Sequence, residues 1–437
     1  MKLEINNENK NFIKSIGVNT VLKPISMVFT FLYTPVLLSF LGDSLYGSWI
    51  TVLSIINWIN YFDIGIGNGT RNLLTEELYG KSDRNKINEI ISTSYITISL
   101  IVFTIFSVLF LILEICNIYE IEIINREILI PLIISLIFMC INFILMTINN
   151  IYYALQKSEL VSVANIAIQI INLFMLIFIQ NINFTSNKLI SVSIVFGLSS
   201  FLIYSFLSIK LWNKYKYLKP KINSFNKIYV KNVLNIGIRF FIIQICALIL
   251  YSTDNVIVNY LYSSLYVTPY STAVKFFSVF YSIFAAMLTP IWSRATIAKK
   301  EHDYSWFINI YRKIVLLWIL FSIAIVSIIP FYKKISFFWL KEELNYDKGL
   351  IVCVAIYYVT YMYSAICSSL INGTGFINTQ MKISVFNAVV FIPLSIFLAK
   401  VLNFKTAGVC LAKIIVTLIC DVILTIQLKE LIVNKKL

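Results

Sequence analysis

The sequence predicts an all-α integral membrane protein with about twelve transmembrane helices. Of its 437 residues, 59% are hydrophobic and 13% are charged, and the mean hydropathy is +0.83. Soluble domains carry roughly 25% charged residues, so this composition excludes an ordinary soluble globule. The apolar runs approach the roughly 20 residues that a membrane-spanning helix needs. They are continuously apolar, which favours helices over the short alternating strands of a membrane barrel.

The apolar spans follow one another with short polar connections. Residues 1–14 carry three lysines and lead into the first span without a small-residue cleavage site. This pattern predicts a retained first helix and not a removed signal peptide. The predicted spans cover residues 12–41, 45–66, 89–116, 127–153, 160–180, 188–210, 233–261, 266–292, 304–331, 349–371, 376–400 and 406–428.

The distribution of lysine and arginine predicts the orientation of these spans. With both termini in the cytoplasm, 24 basic residues flank the cytoplasmic ends of the spans and 8 flank the opposite ends. Cytoplasmic flanks are the ones enriched in basic residues, so we expect both termini to be cytoplasmic. The net charge of +15 then reflects this asymmetry and attraction to anionic membrane lipid. No soluble domain is long enough to bind nucleic acid.

A local motif lies where the second span ends. Tyr46-Gly47 is followed by the sequence FDIGIGNG at residues 62–69 and by Arg71-Asn72. This pattern resembles the amino-terminal signature of Wzx-like polysaccharide flippases, a branch of the multidrug/oligosaccharidyl-lipid/polysaccharide (MOP) exporter superfamily. The resemblance implies two six-helix lobes around a central cavity that opens alternately to each side of the membrane.

The resemblance also implies a function. Wzx-like flippases move undecaprenyl-pyrophosphate-linked oligosaccharide repeat units across the bacterial cytoplasmic membrane for O-antigen or capsule biosynthesis. The polymerase and the chain-length machinery of the same pathway are then possible partners. The motif also predicts a membrane helix that runs into a basic, polar loop near Arg71.

The chain divides near its middle. Residues 210–231 contain seven lysines and no acidic residue. We therefore predict an amino-terminal lobe at 1–212, a basic cytoplasmic linker at 213–232 and a carboxyl-terminal lobe at 233–437. An offset of 220 residues aligns Ile16-Gly17 with Ile236-Gly237, a faint similarity that is typical of two halves derived from one bundle.

Four basic residues remain after those assigned to the two membrane sides are counted, and each lies within an apolar span: Lys23, Arg239, Lys275 and Lys413. An unpaired charge there costs at least about 2.5 kcal/mol, so each should face protein or water. Lysine and arginine suit a pyrophosphate in a low-dielectric site, so we expect these four residues and Arg71 to bind substrate. Polar residues beside them predict sugar contacts, but a purely structural role in holding helices together is the alternative for each. The predicted sugar contacts are Tyr357, Tyr361, Ser364 and Ser368 in the tenth span and Asn165, Gln169 and Asn172 in the fifth.

Three acids lie in or at the end of spans: Asp63, Asp254 and Asp421. They could neutralise the cations or bind the Na⁺ or H⁺ whose entry drives transport. Related exporters have a cation site in the carboxyl-terminal lobe, and this resemblance implies Asp254 and Asp421, with Asn387 and Thr417 as further oxygen ligands. A plain ion pair stays equally open for Asp254.

The sequence offers no catalytic, metal or other cofactor site. Gly80-Lys81-Ser82 lacks the preceding glycine of a phosphate-binding loop, because position 75 is threonine. The single histidine, His302, lies in a charged loop, and the seven cysteines lack paired spacing.

Two other functions remain open. A drug or organic-cation antiporter of the same superfamily would prefer an acidic, aromatic cavity. A membrane polysaccharide polymerase, ligase or glycosyltransferase is disfavoured because the longest outer loop, 332–348, is short and lacks a recognisable arrangement of catalytic residues.

Overall fold

The computed structural model describes residues 8–60, 65–80, 83–118, 126–181, 187–262, 264–340, 346 and 349–433. Its contacts group the chain into two compact units, Met1–Ile238 and Arg239–Leu437. Regular structure in the described ranges is helical throughout. The helices are α1 (Glu8–Asn60), α2 (Ile66–Leu78), α3 (Arg84–Ile118), α4 (Arg126–Ala154), α5 (Ser158–Asn181), α6 (Lys188–Lys214), α7 (Lys227–Ser252), α8 (Asp254–Leu261), α9 (Ser264–Lys300), α10 (Tyr304–Ile328), α11 (Tyr332–Leu340), α12 (Leu350–Thr374), α13 (Asn378–Ile396) and α14 (Lys405–Val433).

The prediction of an all-helical membrane protein is confirmed. Eleven helical stretches among the described residues are long and apolar enough to cross a membrane. The second predicted span, 45–66, corresponds to the last part of α1 and runs on into residues 61–64, which lie outside the described ranges. The first two predicted spans are separated inside α1 by Gly42, whose φ of 74° is a left-handed value that glycine adopts without strain.

A helix follows the glycine motif, where the sequence predicted a basic loop. Gly65 has a φ of 64° and α2 begins at the next residue. Leu74 and Leu78 pack in the core formed with α3 and α4, and this burial orders the segment. A Cβ at Gly69 would lie 2.9 Å from the carbonyl oxygen of Val233, so the glycine allows α2 and α7 to approach closely. Asp63 lies outside the described residues.

The predicted linker is also ordered. Two short 3₁₀ turns, Lys216–Leu218 and Ile222–Ser224, connect α6 to α7. Leu218 is fully buried in the same core as Leu74, so the segment is packed onto the first unit.

Two predicted elements of the second unit are divided differently in the structure. The seventh span is split at Thr253 into α7 and α8. The predicted outer loop 332–348 begins with helix α11, so the prediction of a loop there is wrong for Tyr332–Leu340. Tyr332 is fully buried and stacks on Phe277 of α9, and this packing helps to order the stretch as a helix.

The core of the second unit is formed by α9, α12 and α14. Gly373 on α12 makes the close approach to α9 possible, because a Cβ there would lie 2.5 Å from the carbonyl oxygen of Trp292. Gly408 on α14 similarly contacts the backbone of Ala399. These helices carry the residues of the site described next.

Candidate functional site

Asp254 lies at the break between α7 and α8. It is the first residue of α8, and its Oδ1 accepts a hydrogen bond of 2.9 Å from the backbone N–H of Asn255. The free N–H groups and positive dipole end of a helix N-terminus stabilise a carboxylate there. Broken helices in membrane transporters often provide such polar groups at binding sites.

Lys413 is the cationic partner of Asp254. Its Nζ lies 2.5 Å from Asp254 Oδ2, and the two side chains are 4% and 2% exposed. Tyr270 of α9 donates a third hydrogen bond, of 3.1 Å, to the same oxygen. The carboxylate therefore has three donors, from α8, α9 and α14.

Tyrosine rings surround the lysine. The Nζ of Lys413 lies 5.2 Å from the ring centroid of Tyr357 and 5.9 Å from that of Tyr251. Tyr361 stacks on Tyr357 and, at 4.1 Å between centroids, on Tyr281. Each ring face attracts a cation, so the tyrosines stabilise the ammonium group in addition to Asp254. We call Asp254, Lys413 and these rings the ion-pair cluster.

Asp254 and Lys413 together carry no net charge, and both side chains are deeply buried. A buried charge is costly unless a partner compensates for it, so each member of the pair requires the other. A ligand, proton or cation that took over one partner would release the second. The arrangement therefore suits a pair that opens when an ion or ligand binds, and it equally suits a pair that stays closed and holds the helices together.

Asp421 is the second buried acid of the unit. It lies two turns after Lys413 on α14. Its Oδ1 is buried and lacks a hydrogen-bond partner among the described residues. Thr417, one turn earlier on α14, is half-buried. The described residues contain no group of three or more histidine, cysteine or acidic side chains that could hold a metal ion.

Asn387 is buried on α13, which packs on α14. Its Oδ1 also lacks a hydrogen-bond partner in the described part of the chain. No hydrogen bond joins Asn387 to Asp254 or Asp421 there, so the structure does not assemble the four predicted oxygen ligands into one bonded group.

The other predicted cations differ in their surroundings. Lys23 on α1 is half-buried and Lys275 on α9 is exposed, and neither forms an ion pair within the described residues. Arg239 on α7 is half-buried. Arg71 is only 4% exposed, and its guanidinium lies 4.8 Å from the ring centroid of Tyr153. Arg71 therefore belongs to a packed helix, where the sequence predicted a loop.

Polar residues along α1 bind α5. Asn19 donates to Ser158 at 3.0 Å and accepts from Ser162 at 2.8 Å. Gln169, a predicted sugar contact, donates to Thr30 at 3.4 Å. Such hydrogen bonds hold membrane helices together, so the structural alternative describes these residues in this conformation.

Sequence reasoning named both members of the ion pair but did not pair them. They are 159 residues apart, and no local pattern links them. It also missed Tyr270, Tyr251 and Tyr281. The repeated tyrosines at helical spacing in α12, Tyr357 and Tyr361, were the available signal for an aromatic cluster.

Comparison with known proteins supports the fold and a distant relationship. No family model matches the chain. A protein of Yersinia pseudotuberculosis named "Putative O-antigen export protein" is 23% identical over 348 residues, which are 78% of each chain.

Solved structures of transporters share the fold. An outward-facing multidrug resistance MATE family transporter of the MOP superfamily aligns with a TM-score of 0.78 at 15% identity, covering 97% of this chain and 96% of the other. MATE in the straight conformation aligns with a TM-score of 0.81 at 13% identity over 97% of each chain.

A third structure is a MOP superfamily transporter from Pyrococcus furiosus, described as having a binding pocket of reverse polarity that suggests a different function. It aligns with a TM-score of 0.75 at 15% identity, over 97% of this chain and 96% of the other. These likenesses confirm the predicted fold of two six-helix lobes, which the chain shares with solved transporters of the MOP superfamily.

Proposed function

We propose that this chain, a multi-pass membrane protein with the MOP superfamily fold, is a flippase for undecaprenyl-pyrophosphate-linked oligosaccharide repeat units. It moves them across the bacterial cytoplasmic membrane for O-antigen or capsule biosynthesis, by ion-coupled alternating access. The observation that carries the proposal is the relationship to the Yersinia protein over 78% of both chains. The cations inside the apolar spans give independent support, because a pyrophosphate requires cationic partners.

The cations have different roles in this proposal. Lys23, Arg239 and Lys275 are exposed or half-buried and bind the pyrophosphate as the sugars cross. Lys413 is held by Asp254, so it contributes to substrate binding only if that pair opens during the cycle. Arg71 contacts the headgroup at the cytoplasmic entrance, which requires α2 to move from its packed position. The central cavity that these residues would line stays a prediction.

Asp421 is the best-supported acid for ion coupling. It is buried in a membrane span, where ionisable residues are costly and usually functional. One of its oxygens lacks a hydrogen-bond partner in the described residues, so a proton or Na⁺ bound there would satisfy it. Asp254 is already neutralised by Lys413, so it is the weaker of the two. Thr417 and Asn387 remain possible oxygen ligands, and Asp63 remains a prediction from sequence.

Both termini are cytoplasmic in this proposal, and the polymerase and chain-length machinery of the pathway receive the product at the outer face. The substrate requirement can be tested in the host. Replacing the gene by a Lys23→Ala, Arg239→Ala or Lys275→Ala variant should sharply reduce surface polymer while lipid-linked units remain on the cytoplasmic leaflet. Lys300→Ala, at the exposed end of α9, is the matched control and should leave transport unchanged.

The test also separates the competing functions. Normal polymer in all three variants, with normal amounts of protein in the membrane, would remove the cationic mechanism. Intact polymer in a strain that lacks the gene, together with new sensitivity to cationic compounds, would indicate the organic-cation antiporter. The tyrosine rings of the ion-pair cluster favour this second function, because aromatic faces bind organic cations.

A further inference from the structure

The segment between α6 and α7, residues 215–226, has two faces with different chemistry. We call it the basic strap. Its inner face is fixed to α3 by side chains that bind its backbone. Asn88 Nδ2 donates to the carbonyl oxygens of Tyr217 and Lys219, both at 2.8 Å. Ser92 Oγ accepts from the backbone N–H of Lys221 at 2.9 Å.

Two further contacts fix the end of the basic strap. The backbone N–H of Asn226 donates to Thr93 Oγ1 at 3.0 Å, and its side chain donates to Glu89 Oε2 at 2.8 Å. With Leu218 buried beneath it, the basic strap has a defined conformation and not that of a flexible linker. Its outward side chains are therefore presented in fixed positions.

The outer face of this region is strongly cationic. Residues 210–231 contain seven lysines, all exposed, and no acidic residue. These lysines are Lys210, Lys214, Lys216, Lys219, Lys221, Lys227 and Lys231. Lysines alone would suit a surface in contact with water.

Apolar side chains interrupt this cationic surface. Ile222 is 85% exposed and Ile228 is 68% exposed, and Phe225 is exposed between them. Ile222 and Phe225 belong to the basic strap and Ile228 follows it at the start of α7. A water-facing strap gains nothing from exposing apolar side chains. Apolar groups that alternate with lysines are typical of segments that lie in the membrane interface, where the apolar groups enter the acyl boundary and the cations bind headgroups.

The position of the basic strap fits this environment. It begins where the membrane-spanning helix α6 ends, and α7 starts the next span directly after it. The segment therefore lies at the membrane surface. We infer that the basic strap is an interfacial binding site for anionic phospholipid headgroups of the leaflet that it faces. This inference does not depend on the proposed transport function.

Lipid binding can be measured on the purified full-length protein. The first variant is Lys216→Gln/Lys219→Gln/Lys221→Gln, and the number of phosphatidylglycerol molecules retained is read by native mass spectrometry over a concentration series. The matched control is Lys333→Gln/Lys334→Gln/Lys400→Gln, which removes the same charge from exposed lysines predicted to lie at the opposite membrane surface.

We expect the strap variant to lose phosphatidylglycerol affinity by roughly fivefold for each lysine removed. Each basic residue near an anionic surface contributes a binding free energy that corresponds to about this change in affinity. The control should retain the affinity of the original protein. Equal affinity in the strap variant and the original protein, or equal losses in both triple variants, would overturn the inference.

A second measurement needs no lysine variant. Hydrogen exchange of residues 215–228 is compared in nanodiscs of phosphatidylcholine with and without phosphatidylglycerol. Anionic lipid should slow exchange in this segment, added salt should reverse the effect, and Ile222→Ser should weaken it. Exchange that is independent of lipid charge would contradict the inference and would favour a protein partner or water as what covers the basic strap.

Discussion

We expect Asp254 and Lys413 to be energetically coupled, so that removing both charges costs less stability than the sum of the two single removals. Asp254→Asn and Lys413→Met each remove one charge and keep most of the side-chain volume. The remaining charge is then almost fully buried, since the two side chains are 2% and 4% exposed. Removing one partner of a buried pair costs about 3–5 kcal/mol, so we expect a loss of that size in each single variant.

The double variant should be much less damaged than the sum of the single variants. Asparagine at position 254 keeps one oxygen that can accept from the backbone N–H of Asn255, and its NH₂ group can donate to the hydroxyl oxygen of Tyr270 in place of the second carboxylate oxygen. Methionine at position 413 suits the tyrosine rings around it. Replacing both charges by neutral groups of similar volume is often close to neutral. We therefore expect a coupling energy of about 2–3 kcal/mol, the upper range for residues in contact.

The assay is equilibrium unfolding of the purified protein in one detergent, followed by fluorescence, for all four members of the cycle. Lys275→Met is the matched control, because Lys275 is exposed on α9 and forms no ion pair within the described residues, and it should change stability by less than about 0.5 kcal/mol. Losses in the two single variants that add within about 0.5 kcal/mol would refute the pairing.

Three further predictions concern packing, the basic strap and a helix cap. Gly373→Ala should destabilise the second unit by about 1–3 kcal/mol, because the added Cβ meets the backbone of α9, whereas Gly17→Ala, with open space around it, should not destabilise the first unit in thermal unfolding. Asn88→Ala should accelerate amide exchange of residues 216–226 with little effect on exchange in α14, and equal exchange in both proteins would show that the strap is held by other contacts. Hydrogen bonds from the Ser305 hydroxyl and from the Trp306 N–H hold the pKa of Asp303 below its ordinary value, so its capping of α10 should be lost as pH falls through that lowered pKa. Amide hydrogen exchange at the start of α10, measured against pH, should show this loss. Asp303→Ala should weaken the helix start by about 1 kcal/mol at neutral pH and remove the pH dependence.

Apolar span length was sufficient to predict most of the helices. Span length and hydropathy depend on the bilayer, and this constraint acts on each segment separately. The same pattern predicted the boundary between the first two spans near residue 42, and Gly42 provides the non-helical backbone conformation there. Polar segments outside the spans were harder, because their structure depends on partners far away in the sequence. The basic strap is ordered by Asn88 and Ser92, about 130 residues earlier, and α2 is ordered by burial of Leu74 against α3 and α4.

Individual residues of the candidate site were predictable from sequence, but their pairing was not. Charge inside an apolar span identified Lys413 and Asp254 individually, because the cost of burying a charge applies to each residue alone. Which cation is paired depends on how α8 and α14 pack, and only the structure provides that geometry. The pairing changes the functional argument, since a lysine held by a carboxylate is less available to a pyrophosphate than an unpaired one. Lys23 and Lys275 are therefore better candidates for substrate binding than Lys413, and Asp421 is a better candidate for ion coupling than Asp254.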